Sequence, residues 1–120
     1  GGCLMRALIA GGRNFTDKQF LEEYMSKYLE EVTVVISGTA KGADRLGEKW
    51  AQANNIPVDR YPAQWSRYGG AAGPIRNKEM LDKGNPDLVV VFKGGTGSKH
   101  MATIARKAGV KTMRPQKGLN

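Results

Sequence analysis

The segment at residues 87–98, which reads DLVVVFKGGTGS, constrains the fold of this chain more than any other stretch. After Asp87 comes an unbroken run of aliphatic and aromatic residues, which stops at a turn with three glycines. Apolar residues at helical spacing follow Ser98, so the pattern predicts a buried strand, a tight turn and a helix over residues 98–108 that Ser98 caps. Such a helix points unpaired N–H groups and a partial positive charge at the turn. We therefore expect an anion such as phosphate to bind there.

Two other predicted strands also end in glycine-rich turns. The sequence GGRN follows the first strand, and SGTAKG follows the second. Glycine has no Cβ, so a ligand can approach the main chain closely at these positions. Three such turns in one small domain predict a binding site for a phosphate-containing ligand. The candidate residues at the turns are Gly11, Gly12, Arg13, Ser37, Gly38, Thr39, Gly42, Gly94, Gly95, Thr96, Gly97 and Ser98.

Five apolar runs predict strands at residues 6–10, 32–36, 56–61, 88–92 and 110–113. Because these runs are apolar from end to end and alternate with helical segments, they indicate a parallel sheet covered on both faces. The expected fold is α/β, a Rossmann-like doubly wound sheet of about five strands in the order 3-2-1-4-5 with helices on both faces. In this order the turns after strands 1, 2 and 4 are neighbours and form one crevice.

Capping signals place the ends of several helices. Thr16 and Gln19 match a capping box at the start of the first helix. A long glycine-rich loop at residues 62–73 is typical of a functional segment. The pair Gly73-Pro74 then opens a helix, with Pro at its first position. Gly84 and Gly109 are expected to end the last two helices.

The length of 120 residues is that of one domain, which we place at residues 5–114, followed by a basic tail at 115–120. Residues 1–4 precede Met5, and we interpret them as a remnant of cloning. Cys3 is the one cysteine, which excludes an internal disulfide. No apolar run is long enough to cross a bilayer and no signal-peptide pattern occurs. We therefore expect a cytoplasmic protein without a membrane partner.

The formal charge of +8 comes entirely from the second half of the chain. Residues 1–60 contain eight Lys or Arg and eight Asp or Glu, whereas residues 61–120 contain eleven and three. A basic half suggests a polyanionic ligand or nucleic acid, and a solvated basic surface explains it equally well. Aromatic residues are few and do not alternate with basic ones, so the sequence has no track for stacking a single strand.

Several polar residues are further candidates for ligand contacts. Arg13 and Arg76 are placed where a guanidinium could hold a phosphate, although a surface salt bridge or a solvated helix start would explain them too. Asn77 follows Arg76 and belongs to the same candidate group. Asp44 could bind a ribose hydroxyl or simply favour the dipole of its helix.

Three aromatic residues, Phe15, Trp65 and Tyr68, are candidates for contacts with a base. Packing of a loop against the core accounts for a tryptophan equally well. The sequence contains neither a Walker A motif nor the glycine fingerprint of dinucleotide-binding folds. His100 is the one histidine and has no thiolate nearby, so we expect no metal site. With no catalytic triad and no pair of carboxylates, the residues indicate binding rather than catalysis, with no required cofactor.

Four segments together resemble a known family. Residues 11–17, 37–44, 65–77 and 92–98 are similar to the YspA-like branch of the SLOG superfamily, which also contains DprA and the Lonely Guy phosphoribohydrolases. This resemblance implies a Rossmann-like domain that binds a nucleotide or a nucleotide-derived ligand at the glycine turns. It further implies a sensor or handler of nucleotide signals, often in phage–host conflict, that self-associates into a homodimer or a higher homo-oligomer.

The chain departs from the Lonely Guy enzymes at one important position. Those enzymes have a catalytic glutamate on the helix after the glycine turn, whereas this chain has Lys99, His100 and Met101 there. Cleavage of an N-glycosidic bond needs an acid, and Asp44 or Glu79 could supply it only if the fold brings one into the crevice.

Three hypotheses follow. We favour a protein that binds an ADP-ribose-like or cyclic nucleotide as a sensor or a sequestering protein. The alternatives are a phosphoribohydrolase-type nucleotide hydrolase and a DprA-like nucleic-acid-binding module.

Overall fold

A computed structural model describes residues 4–118 and contains one parallel sheet with helices on both faces. The strands are β1 (Met5–Ala10), β2 (Val32–Ser37), β3 (Val58–Arg60), β4 (Leu88–Val91) and β5 (Lys111–Met113). The helices are α1 (Lys18–Ser26), α2 (Ala43–Ala53), α3 (Trp65–Tyr68), α4 (Ala72–Asp82) and α5 (Thr96–Lys107). The strand order is β3-β2-β1-β4-β5, and every pairing is parallel. The predicted fold class and strand order are confirmed. Residues 1–3, 119 and 120 of the predicted terminal segments lie outside the described residues.

The core lies on both sides of the central strands. Successive residues of β1 alternate between the two faces, so Ile9 packs with α1 and α2 whereas Leu8 packs with α4 and α5. The two edge strands differ from the expectation of strands that are apolar throughout. β3 (VDR) and β5 (KTM) are short and partly exposed, because an edge strand has a neighbour on one side only.

The first helix starts one residue later than the capping box predicted. Its N-cap is Asp17, whose Oδ1 accepts a hydrogen bond from the Phe20 N–H at 3.1 Å, and not Thr16. The side chain of Gln19 instead donates to Glu23 on the outer face of the helix. An ionised carboxylate is a stronger acceptor than a hydroxyl, and the hydrogen bond from Phe20 lowers the pKa of Asp17.

The loop before α4 is more structured than expected. It contains the single-turn helix α3 and a 3₁₀ turn over Gly69–Ala71, and neither has a buried residue. α4 then begins at Ala72, so Pro74 occupies its third position and not its first. The prediction of its end also needs correction: α4 ends at Asp82, and the positive φ after it falls on Asn85 (49°) rather than on Gly84.

α5 begins two residues before the predicted cap. Gly95 is the N-cap and Thr96 is the first helical residue, so Ser98 lies in the first turn and is buried. The expected end is confirmed, because Gly109 follows α5 with a φ of +78° and its N–H donates to the Arg106 carbonyl.

Glycines allow the strand-end turns to pack against one another. The Gly12 N–H donates to the Lys93 carbonyl at 3.0 Å, and the Gly12 carbonyl accepts from the Ala43 N–H at 3.1 Å. A Cβ on Gly12 would lie 2.7 Å from the Gly94 Cα and 2.8 Å from the Lys93 carbonyl oxygen. Both atoms belong to the main chain, which cannot move aside without displacing the turn.

We expect Gly12→Ala to lower the free energy of unfolding by about 2–3 kcal/mol, because the added methyl overpacks a contact between two backbones. Gly70→Ala is the matched control, since a Cβ at Gly70 meets no atom within 4 Å. Urea denaturation followed by circular dichroism measures both variants. Equal stability of the two would show that the close approach of the turns does not limit residue 12.

Candidate functional site

The turns after β1, β2 and β4 meet at one edge of the sheet and enclose a cavity of about 610 Å³, which we call the main cavity. This volume is typical of a site for a small molecule. Its position outside the carboxyl ends of the strands, where the strand order reverses, is where ligands of doubly wound sheets bind. The lining residues are Ala10, Gly11, Gly12, Arg13, Asn14, Ala40, Asp44, Trp65, Gly70, Gly73, Pro74, Arg76, Asn77, Met80, Gly95, Thr96, Gly97, Ser98, His100 and Met101.

The amino end of α5 forms one wall of the main cavity. Thr96, Gly97 and Ser98 are its first three residues, and N–H groups at this position of a helix have no partner within the helix. A Cβ on Gly95 or Gly97 would meet no protein atom within 4 Å. The main chain is therefore open to a ligand here, with the partial positive charge of the helix behind it.

Arg76 on α4 lines the main cavity and is held by two hydrogen bonds. Its Nη1 donates to the Gly38 carbonyl, and its Nε donates to Asn77 Oδ1 at 3.1 Å. Burial lowers the pKa of Arg76, the nearby charge of Arg13 lowers it further, and Asp44 opposes both. Two guanidinium groups thus line the same cavity, and the charge of Arg13 acts on Arg76.

Asn77 and His100 link α4 to the start of α5. Asn77 is buried, and its Nδ2 donates to the Gly97 carbonyl at 3.3 Å and lies 3.2 Å from His100 Nδ1. These contacts fix the first turn of α5 relative to Arg76. In the described residues, no group of three His, Cys, Asp or Glu side chains could hold a metal ion.

Asp44 is the one carboxylate among the lining residues of the main cavity. It is 5% exposed, and its Oδ2 accepts a hydrogen bond from the Ala40 N–H at 3.1 Å. Burial raises the pKa of Asp44 to about 6, against the lowering effects of that hydrogen bond and of Arg76. Glu79, the other acid considered from the sequence, does not line the cavity and pairs with Lys83 on its own helix.

Arg13 and Trp65 form the side of the cavity that faces solvent. The Arg13 guanidinium carbon lies 5.6 Å from the centre of the Trp65 ring, within the range of a cation–π contact. Trp65 is 49% exposed, and no residue of α3 is buried. Its ring therefore has a face available for stacking.

A second cavity of about 310 Å³, which we call the side cavity, adjoins the main one. The turn after β2 lines it, and four residues line both cavities: Arg13, Ala40, Trp65 and Arg76. The remaining lining residues of the side cavity are Gly38, Thr39, Lys41 and Ala63.

The structure separates the predicted site residues into three groups. Eleven line the main cavity: Gly11, Gly12, Arg13, Asp44, Trp65, Arg76, Asn77, Gly95, Thr96, Gly97 and Ser98. Gly38 and Thr39 line the side cavity, whereas Ser37, Gly42 and Gly94 line neither. Two aromatic candidates also lie elsewhere: the Phe15 ring packs 5.3 Å from the Phe92 ring, and Tyr68 lies beneath the Arg67 guanidinium at 5.0 Å.

Sequence reasoning missed Glu48, which supports the turn after β2. Glu48 is buried, accepts from Ser37 Oγ at 2.7 Å and pairs with Arg60 Nε at 2.9 Å. Ser37 Oγ in turn accepts from the Thr39 N–H at 3.0 Å and holds Thr39 at a φ of +65°, which non-glycine residues rarely adopt. The available signal was the spacing of Glu48 four residues after Asp44, which places both acids on one face of α2.

The basic residues of the second half are spread over the surface and do not all face the cavities. Arg106 and Lys107 lie in the last turn of α5, at the opposite edge of the sheet, where they favour the helix dipole. Lys78 and Lys83 pair with carboxylates one turn away on α4. A solvated basic surface therefore accounts for part of the excess charge.

Comparison with family models decides the family. The model described as YAcAr (YspA, cpYpsA-related SLOG family) matches residues 5–68, more than half of the chain. The chain belongs to the YspA, cpYpsA-related SLOG family. The Gene 61 protein of Mycobacterium phage D29 is 31% identical over 117 residues, which cover 89% of this chain and 93% of that protein. The resemblance expected from the four motifs is confirmed.

The fold of this SLOG family member is similar to a solved structure. DprA, the DNA processing protein A of Streptococcus pneumoniae, superposes with a TM-score of 0.74 at 20% sequence identity. The match covers 98% of this chain but 52% of that chain, so this chain spans about half the length of DprA. None of the described helices is long and apolar enough to cross a membrane.

The raised pKa of Asp44 predicts a change of stability with pH. Between about pH 4 and pH 6 the folded protein binds a proton at Asp44 that the unfolded chain, with a pKa of 3.8, releases. The free energy of unfolding therefore falls as pH rises through this window, by about 3 kcal/mol in total, and is level above it.

Asp44→Asn removes this contribution, so the difference in unfolding free energy between wild type and variant should fall by that amount between about pH 4 and pH 7. Chemical denaturation at several pH values measures it. A difference that stays constant with pH would mean that the carboxyl titrates normally.

Proposed function

We propose that this protein binds a nucleotide or nucleotide-derived signalling molecule in the main cavity. The observation that carries the proposal is the open amino end of α5 in the same cavity as Arg13 and Arg76. Helix N–H groups and guanidinium groups are the donors that proteins most often use for phosphate. The ligand phosphate would lie against Gly95, Thr96 and Gly97.

The rest of the cavity suits a nucleoside attached to that phosphate. Asp44 offers a carboxylate oxygen to a ribose hydroxyl on the side where Arg76 approaches the turn after β2. Trp65 offers an exposed aromatic face, on which any base can stack. The cavity volume of about 610 Å³ has room for more than a phosphate. An ADP-ribose-like or cyclic nucleotide satisfies these features.

The proposed role is a sensor or a sequestering protein, with a part in phage–host conflict. Its support is the similarity to a phage-encoded protein and the absence of an acid at Lys99, His100 and Met101, where the Lonely Guy enzymes have their catalytic glutamate. Self-association and a cytoplasmic location belong to the same proposal. Neither role needs turnover: a sensor would respond to the bound ligand, and a sequestering protein would hold it.

Replacing Gly97 by Val tests the phosphate position without harming the fold. The side chain fills open space in the cavity and removes access to the first N–H groups of α5. We expect nucleotide affinity to fall about 100-fold, the equivalent of two charge-assisted hydrogen bonds at ~1.5 kcal/mol each. The unliganded protein should keep its stability or gain about 0.5 kcal/mol, because glycine is a poor helix former.

Isothermal titration calorimetry with AMP, cyclic AMP and ADP-ribose measures the affinities. Ala108→Val is the control, since it adds similar bulk at the other, exposed end of α5. The proposal fails if wild type binds none of these nucleotides, or if Gly97→Val binds them as tightly as wild type does.

A nucleotide hydrolase is the second candidate, and Asp44 is the observation that favours it. A buried carboxyl with a pKa of about 6 carries a proton part of the time near neutral pH. In this reaction the bond between the base and C1 of the ribose breaks and Asp44 gives its proton to the leaving base. Water then adds to the ribose carbon and loses one proton, which returns the Asp44 carboxylate to its acid form.

Incubation with AMP and chromatography of the products separates the candidates. The hydrolase predicts free adenine, formed more slowly as pH rises above about 6 and at least 100-fold more slowly by Asp44→Asn, since the general acid is lost. A pure binding protein releases no base. Release by Asp44→Asn at the rate of wild type would remove Asp44 from the reaction.

A further inference from the structure

The side cavity has an unusual distribution of charge. Three cations line it, Arg13, Lys41 and Arg76, and no carboxylate does. Among residues 4–118, none of the three forms an ion pair with an acidic side chain. The main cavity differs, because Asp44 lies in its wall. The volume of about 310 Å³ is enough for a small anionic group and the atoms that carry it.

Two backbone amides of the side cavity already have partners within the protein. The Ala40 N–H already donates to Asp44 Oδ2, and the Thr39 N–H already donates to Ser37 Oγ. Arg76 Nη2 and the Lys41 ammonium make no hydrogen bond within the described part of the chain. The side-chain donors available to a ligand thus include two charged groups, which prefer anions.

The two cavities share a wall that carries like charges. Arg13 and Arg76 belong to both, and the charge of Arg13 is close enough to lower the pKa of Arg76. Holding two cations together in a partly buried place costs free energy in the unliganded protein, and an anion between them removes that cost.

We propose that the side cavity is a second anionic subsite for the ligand of the main cavity. One phosphate binds at the start of α5, and a separate phosphate or carboxylate of the same molecule binds among Lys41, Arg13 and Arg76. This inference rests on the proposed function and narrows it. The ligand is a nucleotide whose two anionic groups lie on different parts of the molecule, and not a mononucleotide with a single phosphate.

A nucleic-acid strand also carries separated phosphates, but the charge distribution favours a small molecule. A strand needs basic residues that continue along a groove. Arg106 and Lys107 lie at the opposite edge of the sheet, and Lys78 and Lys83 are paired on α4. These four basic residues therefore do not extend the positive surface of the cavities into a groove.

Lys41→Gln tests the subsite, because Lys41 is exposed and lines the side cavity but not the main cavity. Lys49→Gln is the matched control, with the same loss of charge at an exposed position of α2 that lines neither cavity. The probes are AMP, the dinucleotide pApA and an adenosine bisphosphate with phosphates on opposite ends of the ribose. The dissociation constants come from calorimetry, with Trp65 fluorescence in a Trp50→Phe background as a second readout.

We expect wild type to bind at least one probe with two separated phosphates about tenfold or more tightly than AMP, the gain typical of one charge-assisted contact. Lys41→Gln should lose that gain and leave AMP binding unchanged, whereas Lys49→Gln should keep both. The inference is wrong if neither two-phosphate probe binds wild type more tightly than AMP does, or if Lys41→Gln keeps this gain in affinity. It is also wrong if Lys41→Gln weakens the binding of AMP as much as that of the two-phosphate probes.

A short oligothymidylate distinguishes a strand from a small molecule. If it binds more tightly than every small probe, with an affinity that falls steeply with salt, a strand is the occupant and the inference is overturned. Failure of the proposed function looks different. In that case AMP and the other nucleotides do not bind wild type, and the inference of a second subsite fails together with the proposed function. If AMP binds and Gly97→Val abolishes that binding, the proposed phosphate site at the start of α5 is supported, whatever the result for Lys41→Gln.

Discussion

The hydrogen bond from the Gly12 N–H to the Lys93 carbonyl holds the turns after β1 and β4 against each other, and the whole site depends on it. The Gly12 carbonyl extends the contact to the start of α2 by accepting from Ala43. Two backbones can approach this closely only where no Cβ stands between them, as at Gly12 and Gly94. The consequence is a fixed position for the beginning of α5. Its unpaired N–H groups therefore face the same space as Arg13 and Arg76, which come from two other elements.

Electrostatics give this preformed space its preference for anions. The helix end, Arg13 and Arg76 supply positive charge, and the one carboxylate of the main cavity, Asp44, is buried enough that its pKa rises to about 6. Below about pH 6 Asp44 is largely protonated, and it then opposes an incoming phosphate less than an ordinary aspartate would. Arg13 and Arg76 differ from Asp44 in this respect, because their guanidinium groups stay charged and an anion bound between them is stabilised. The unliganded site thus holds two guanidinium groups and a helix amino end against one carboxylate, an excess of positive charge that an anionic ligand would offset.

Much of the fold and the centre of the site could be predicted from the sequence, because glycine patterns and apolar runs encode them directly. The strand order and the meeting of three glycine turns follow from the alternation of strands and helices. Details that depend on competition between neighbours could not be predicted. Asp17 displaces Thr16 as a cap because its carboxylate is the stronger acceptor. α5 starts at Thr96, and Ser98 is buried in its first turn instead of capping it. The supporting roles of Glu48 and His100 arise from contacts between different elements; the spacing of Glu48 from Asp44 indicates a shared helix face but not the partners Ser37 and Arg60.

The central claim, that the start of α5 and the turn after β1 bind the phosphate of a nucleotide, is tested most directly by NMR. Uniformly ¹⁵N-labelled protein is titrated with AMP, pApA and ADP-ribose while the backbone amide signals are followed. We expect the amides of Thr96, Gly97 and Ser98 to shift first and most, together with those of Gly12 and Arg13. Saturable binding with shifts confined to the far end of α5 and to β5, or no binding at all, would contradict the account.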